Sequence, residues 1–327
     1  MRPFAEGIRF VDEVHRSGWE KAKEKFGMDE DEARKWWGWY EREVCKPWVV
    51  YEGEGGMEEV EEIEGEAEEV ERLPLVVRDV RKAGFAGKVY NLEREGLYRF
   101  AVLTRSVRNL IVAREDRPLP ILRALSAIQV HGNRDGGKSI DELKELLLNR
   151  TSISVTCGII ASLTVAVLTD LGFRARFVTT LTLEDWNTYD NGHALCEVFI
   201  PEGGKWALVD VDMGFMFMRD GVYLDAYEFW KCLREGERVE FSPLSEKFVD
   251  PFFLGASGFN YFLCMKYLLR DLESKKAWYK RIFQIVGIKD GDKTVFFGPE
   301  DEIRSYYAGD WFDVVPLSEW RARFYGS

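Results

Sequence analysis

The chain has 327 residues, 45 basic and 57 acidic side chains, three histidines and five cysteines, for a formal charge of −12. Its 46% hydrophobic and 14% aromatic content is that of a chain that buries a large core, which excludes a disordered protein. Three histidines exclude a His-rich metal centre, and the acidic balance argues against duplex nucleic acid as a partner.

The cysteines, Cys45, Cys157, Cys196, Cys232 and Cys264, form no C-x-x-C pair, so zinc ribbons and thioredoxin-type redox motifs are out. Their odd number, and a start without an uncharged apolar stretch, point to free thiols in a reducing, cytoplasmic setting. The longest apolar run, 155–168, is too short to span a bilayer and reads as a buried helix. The expected partners therefore include neither nucleic acid nor membrane, and no metal or organic cofactor is implied.

Residues 1–51 read as a helical module. Two periodic stretches, 19–28 and 29–37, meet at Gly27 as a helix-turn-helix. The second opens on Asp29, Glu30, Asp31 and Glu32, acids that suit a helix N-terminus and would repel phosphate. Residues 52–72 hold eleven Glu and one Arg, so most of the net charge sits here. Glycines at 53, 55 and 56 make this an acidic linker as first reading. The other reading docks it on 73–123, which carries eleven basic against five acidic residues.

Over 96–114 the apolar positions Leu97, Phe100, Leu103, Val107 and Leu110 follow a helical period. Residues 132–139, Gly-Asn-Arg-Asp-Gly-Gly-Lys-Ser, satisfy the P-loop pattern G-x-x-x-x-G-K-[ST]. Ser139 to Glu142 is also a capping box, opening a short helix that ends near Asn149. That helix is short and no further strand–helix units follow, so a loop ending in a cap is favoured over a nucleotide site. Residues 156–172 are apolar nearly all round, the mark of a central buried helix capped by Gly172. Strands follow at 174–183, 193–200 and 206–212, the last two joined by Pro-Glu-Gly-Gly. Beyond Gly214 the signal is mixed, with helices expected at 226–234 and 260–272.

Cys157 stands at the start of the central helix, where free N–H groups and the helix dipole favour a thiolate. His193 begins a strand after a Gly-containing loop, and Asp210 lies near the end of the next one. A hairpin would bring the two side by side, giving nucleophile, base and orienter. His15 and His131 lack that setting, and the other four cysteines read as structural.

Residues 141–214 resemble the core of the transglutaminase-like superfamily. The matching features are the helix at 141–148, then Thr156-Cys157-Gly158, then Leu171-Gly-Phe-Arg-Ala-Arg-Phe-Val178. After these come His193-Ala-Leu-Cys-Glu-Val-Phe and Trp206-Ala-Leu-Val-Asp210. The resemblance implies a papain-like fold with Cys157 as nucleophile, His193 as base and Asp210 as orienter; the Trp206 spacing selects Asp210 over Asp212. The sequence departs from the family pattern at Val155, often Gly, and at Leu195, where an aromatic follows His-Ala. These departures leave the oxyanion hole and the substrate open.

The expected fold is α+β: a papain/transglutaminase-like core over 73–220, its central buried helix packed on an antiparallel sheet. An N-terminal helical module and a mixed C-terminal extension at 221–327 flank it. The expected function is thiol-dependent hydrolysis or acyl transfer at an amide, as protease, amidase or transglutaminase, on a protein, peptide or glycopeptide substrate. A non-catalytic binding module on the same fold and a P-loop nucleotide-binding protein are the alternatives.

Overall fold

The computed structural model describes residues 4–40, 47–53, 56–102, 106–114, 116–184, 191–245 and 271–326. Helix and sheet are mixed, as an α+β chain requires. Three N-terminal helices, Phe4–Ser17, Trp19–Phe26 and Glu30–Trp39, close on a small core of Phe10, Ala22, Ala33 and Tyr40. Gly27 takes a left-handed conformation (φ 58°) between the second and third, and Asp29 caps the third by accepting from the Glu32 N–H. The strand Pro47–Gly53 follows and belongs to a five-stranded sheet, so the helical part ends before residue 51.

The acidic stretch differs from the linker expected over 52–72. Gly56–Glu59 pairs antiparallel with Pro47–Gly53, and Glu62–Ile63 pairs with Lys88–Asn91. Val60 and Val70 are buried with Leu73, Tyr90 and Phe100. Its carboxylates meet the basic stretch that follows: Glu52 pairs with Arg99 at 2.9 Å, Glu58 with Arg94 at 2.7 Å, and Glu62 with Lys88. The physical reason is that two buried valines and strand pairing outweigh the repulsion of a carboxylate run neutralised from outside.

The helix expected over 96–114 is instead the hairpin Gly96–Val102 and Ser106–Val112. Leu97 and Ile111 face one core, while Tyr98, Phe100, Leu110 and Val112 face another. A strand buried on both faces loses its period of two, and its apolar positions then imitate a helical spacing.

A nine-stranded sheet organises the rest of the described residues. Its middle strands, Ala175–Leu181, Gly192–Ile200 and Lys205–Asp210, are antiparallel neighbours. The central helix, Cys157–Asp170, packs on one face through Ile160, Leu163, Val167 and Leu168, against Cys196, Val198, Ala207 and Val209. Leu195, Leu208, Phe217 and Phe229 fill the other face with Trp278, Tyr279 and Ile282 of the helix Leu272–Ile282. Strands Ile285–Asp290, Lys293–Phe297 and Phe312–Val315 extend the same sheet from the edge of Ala175–Leu181. The described residues beyond 220 therefore build onto the core sheet rather than stand apart. The helix expected at 226–234 is Ala226–Glu235, whereas that at 260–272 lies almost wholly outside the described residues.

Candidate active site

Sheet alternation sets the stage. Cys196 pairs with Val209 and both face the central helix, so Leu195, His193, Leu208 and Asp210 turn to the opposite face. Gly192, just before His193, allows the close approach of the neighbouring strand: a Cβ there would stand 2.3 Å from the Thr180 carbonyl oxygen. The Thr180 hydroxyl accepts from the His193 N–H at 3.2 Å.

His193 Nε2 lies 2.7 Å from Asp210 Oδ2, and both side chains are fully buried. Burial works against the charged ring, but Asp210, and then Cys157, outweigh it and hold the imidazolium well above the ordinary histidine range. Cys157 bears on the ring as a neighbouring group. With Nε2 given to Asp210, the other ring nitrogen, Nδ1, is buried without a hydrogen-bond partner. The structure thus joins His193 to Asp210 directly, with Cys157 as a neighbour of the ring.

The strand Lys205–Asp210 ends at the carboxylate itself. Asp210 Oδ1 accepts from the Met213 N–H at 2.8 Å, and its carbonyl accepts from Gly214, whose positive φ of 77° lets the chain turn there. Tyr279 Oη donates to Asp210 Oδ2 at 2.6 Å, on the same oxygen as His193. Trp278 sets its ring against the imidazole, edge to face at 5.2 Å, and its buried indole N–H has no partner.

Cys157 is half-buried and opens its helix directly after the strand Ile153–Val155. An added Cβ at Gly158 would meet nothing within 4 Å, so there is room in front of this helix turn. The N–H groups of Cys157 and Gly158 have no intrahelical acceptor. Cys196 and Cys232 differ from it. Burial pushes both thiols up, Cys232 to about 11, so neither is set up as a nucleophile. Cys45 and Cys264 lie outside the described residues.

A second histidine–carboxylate pair lies nearby, at His131, whose setting the sequence did not signal. His131 closes the short strand Gln129–His131, paired in parallel with Ile153–Val155, so that it sits opposite Val155, two residues before Cys157. Its Nδ1 is 2.8 Å from Asp212 Oδ2, and Gln129 Nε2 donates to Asp212 Oδ1 at 2.7 Å. Asp212 therefore serves this pair, just past the strand that carries Asp210. His15 lies elsewhere, bonded to the Tyr40 hydroxyl at 3.0 Å. Neither Tyr279 nor Trp278 carries a sequence signal toward the site; only the fold brings them there.

The loop 132–139 does not form a phosphate cradle. The N–H groups of Gly132, Asp135, Gly136 and Lys138 are spent on Val155, Ser154, Asn133 and Asp135 carbonyls. Asp135 is buried, accepting from the Ser154 N–H and from Arg150. The Ser139 hydroxyl is engaged in a capping box with Glu142. This corrects the P-loop alternative: the glycines shape a tight turn into a capped helix.

Among the described residues no group of His, Cys, Asp and Glu is arranged to hold a metal ion, and no helix is long and apolar enough to cross a membrane. Residues 132–211, about a quarter of the chain, match the family model of the transglutaminase-like superfamily. The matched segment is similar to a transglutaminase-like domain, lies in a fold of mixed helix and sheet, and contains Cys157, His193 and Asp210. Comparison with curated proteins and with solved structures gives no match to the chain.

Proposed function

We propose that the protein is a thiol-dependent acyl-transfer enzyme acting at an amide or ester carbonyl. The observation that supports this reading is the fully buried His193–Asp210 pair, with Cys157 at the start of the central helix as a neighbour of the ring. His193 takes the thiol proton and Asp210 stabilises the imidazolium. The Cys157 thiolate then attacks the carbonyl, forming an S–C bond and a tetrahedral oxyanion. The free N–H groups at the helix start are suited to that oxyanion. Collapse of the intermediate breaks the C–N or C–O bond, and the imidazolium returns the proton to the leaving group. Water or an amine then releases the acyl group from Cys157, giving hydrolysis in the first case and transfer in the second. The substrate class is a protein, peptide or glycopeptide chain in a reducing, cytoplasmic setting.

An activated ester tests the reading. Intact-mass analysis after mixing with p-nitrophenyl acetate is expected to show one acetyl group on Cys157. It is absent in Cys157→Ala and much slower to form in His193→Ala. Acetylation spread over lysines, or independent of His193, would favour a binding module on the same fold.

A further inference from the structure

The helix Leu272–Ile282 lies sixty-one residues beyond the segment that matches the family, 132–211, yet it reaches the centre of the site. Tyr279 is completely buried, and its hydroxyl donates to the one Asp210 oxygen that also holds His193. The Met213 N–H holds the other oxygen. Three donors from three separate parts of the chain thus define the plane of one carboxylate. Tyr279 is itself locked in an aromatic cluster with Phe217, Phe229 and Phe283.

We propose, on the basis of the acyl-transfer reading above, that Tyr279 is a positioning residue of the reaction, fixing the Asp210 carboxylate in the orientation in which it serves His193. Its hydroxyl also draws charge from the oxygen that faces the ring. Removing that hydroxyl leaves Asp210 a stronger but less fixed acceptor. The imidazolium is then held more tightly, while its alignment with Cys157 is lost.

Among the described residues, the charged and titratable groups that bear on the ring or its carboxylate are Cys157 from the central helix, Asp210 and Cys196 from the sheet and Tyr279 from the C-terminal helix, with Asp212 acting on Tyr279 from beyond Asp210. Burial, and then Asp210, push the Tyr279 hydroxyl well above the ordinary tyrosine range, so it remains a donor while His193 titrates.

With three histidines in the chain, ring-labelled protein gives a resolvable NMR titration of His193 without any substrate. In Tyr279→Phe the His193 titration is expected to move up by about half a pH unit or more. Acyl-enzyme formation on Cys157 is expected to slow about tenfold. Ile282→Val, which trims the same helix away from the carboxylate, is expected to lower the melting temperature and leave the titration in place. An unchanged His193 titration and an unchanged acylation rate in Tyr279→Phe overturn the inference. If wild-type protein forms no acyl-enzyme at all, the functional reading falls first, and the part given to Tyr279 falls with it.

Discussion

Asp210 Oδ2 stands 2.7 Å from His193 Nε2 in a setting where neither side chain touches solvent. A buried carboxylate and a buried imidazole are each costly alone, and their pairing holds the ring in its charged form. The folded-state value of His193 lies above the unfolded one, so its stabilisation is fully present below pH about 6.5. It is lost as pH rises through the folded value.

Asp210→Asn is therefore expected to destabilise the protein by roughly 3 kcal/mol near pH 6, because it leaves the ring without its counter-charge. The gap to wild type should narrow at alkaline pH. Urea unfolding at both pH values checks this, and a pH-independent gap would contradict it.

Asp225 pulls stability in the same direction with pH, over a lower window and for another reason: its charged form is the one that burial disfavours. It caps the helix Ala226–Glu235, and burial, reinforced by Glu197, pushes its carboxyl up to about 7. The folded state then binds more protons than the unfolded one between about pH 4 and pH 7, so stability falls with rising pH across that window. Asp225→Asn keeps the capping oxygen and removes the charge. It is expected to gain about 1–2 kcal/mol at pH 8 and to flatten the curve, as thermal melts at several pH values would show.

The loop at 132–139 offers a test against nucleotide binding. Ser139→Ala is expected to cost about 1 kcal/mol through loss of the capping box, whereas Lys138→Ala should change neither stability nor acylation. Magnesium with ATP or GTP should leave the melting temperature in place. A nucleotide-dependent rise would restore the P-loop reading.

Much of the candidate site is legible in the residue pattern because its parts are local. A cysteine at a helix start, a histidine after a glycine and an aspartate at a strand end each carry their own spacing signal. The hairpin at 96–112 is misleading for a physical reason: with cores on both faces, Leu97, Phe100 and Leu110 need not alternate. The charge of 52–72 hides two buried valines, which pattern reading discounts beside eleven glutamates. Tyr279 is sixty-nine residues from Asp210 in sequence, and the bond between them exists only once the sheet has been covered. His131 likewise acquires its partner through the parallel pairing with Ile153–Val155.

Val70 is fully buried in the core beneath the five-stranded sheet. Val70→Ala is expected to cost about 2 kcal/mol, as for a core methyl pair, and deletion of 56–71 should unfold that sheet. Denaturant unfolding with tryptophan fluorescence measures both. Near-neutral effects would return this segment to the status of a linker.

The most direct test of the central claim is the rate at which iodoacetamide alkylates Cys157 in the native protein near pH 6, read by peptide mass spectrometry. The account predicts that Cys157 reacts at least about tenfold faster than in His193→Ala, with Cys196 and Cys232 nearly unreactive. Equal rates at Cys157 with and without His193 would contradict it.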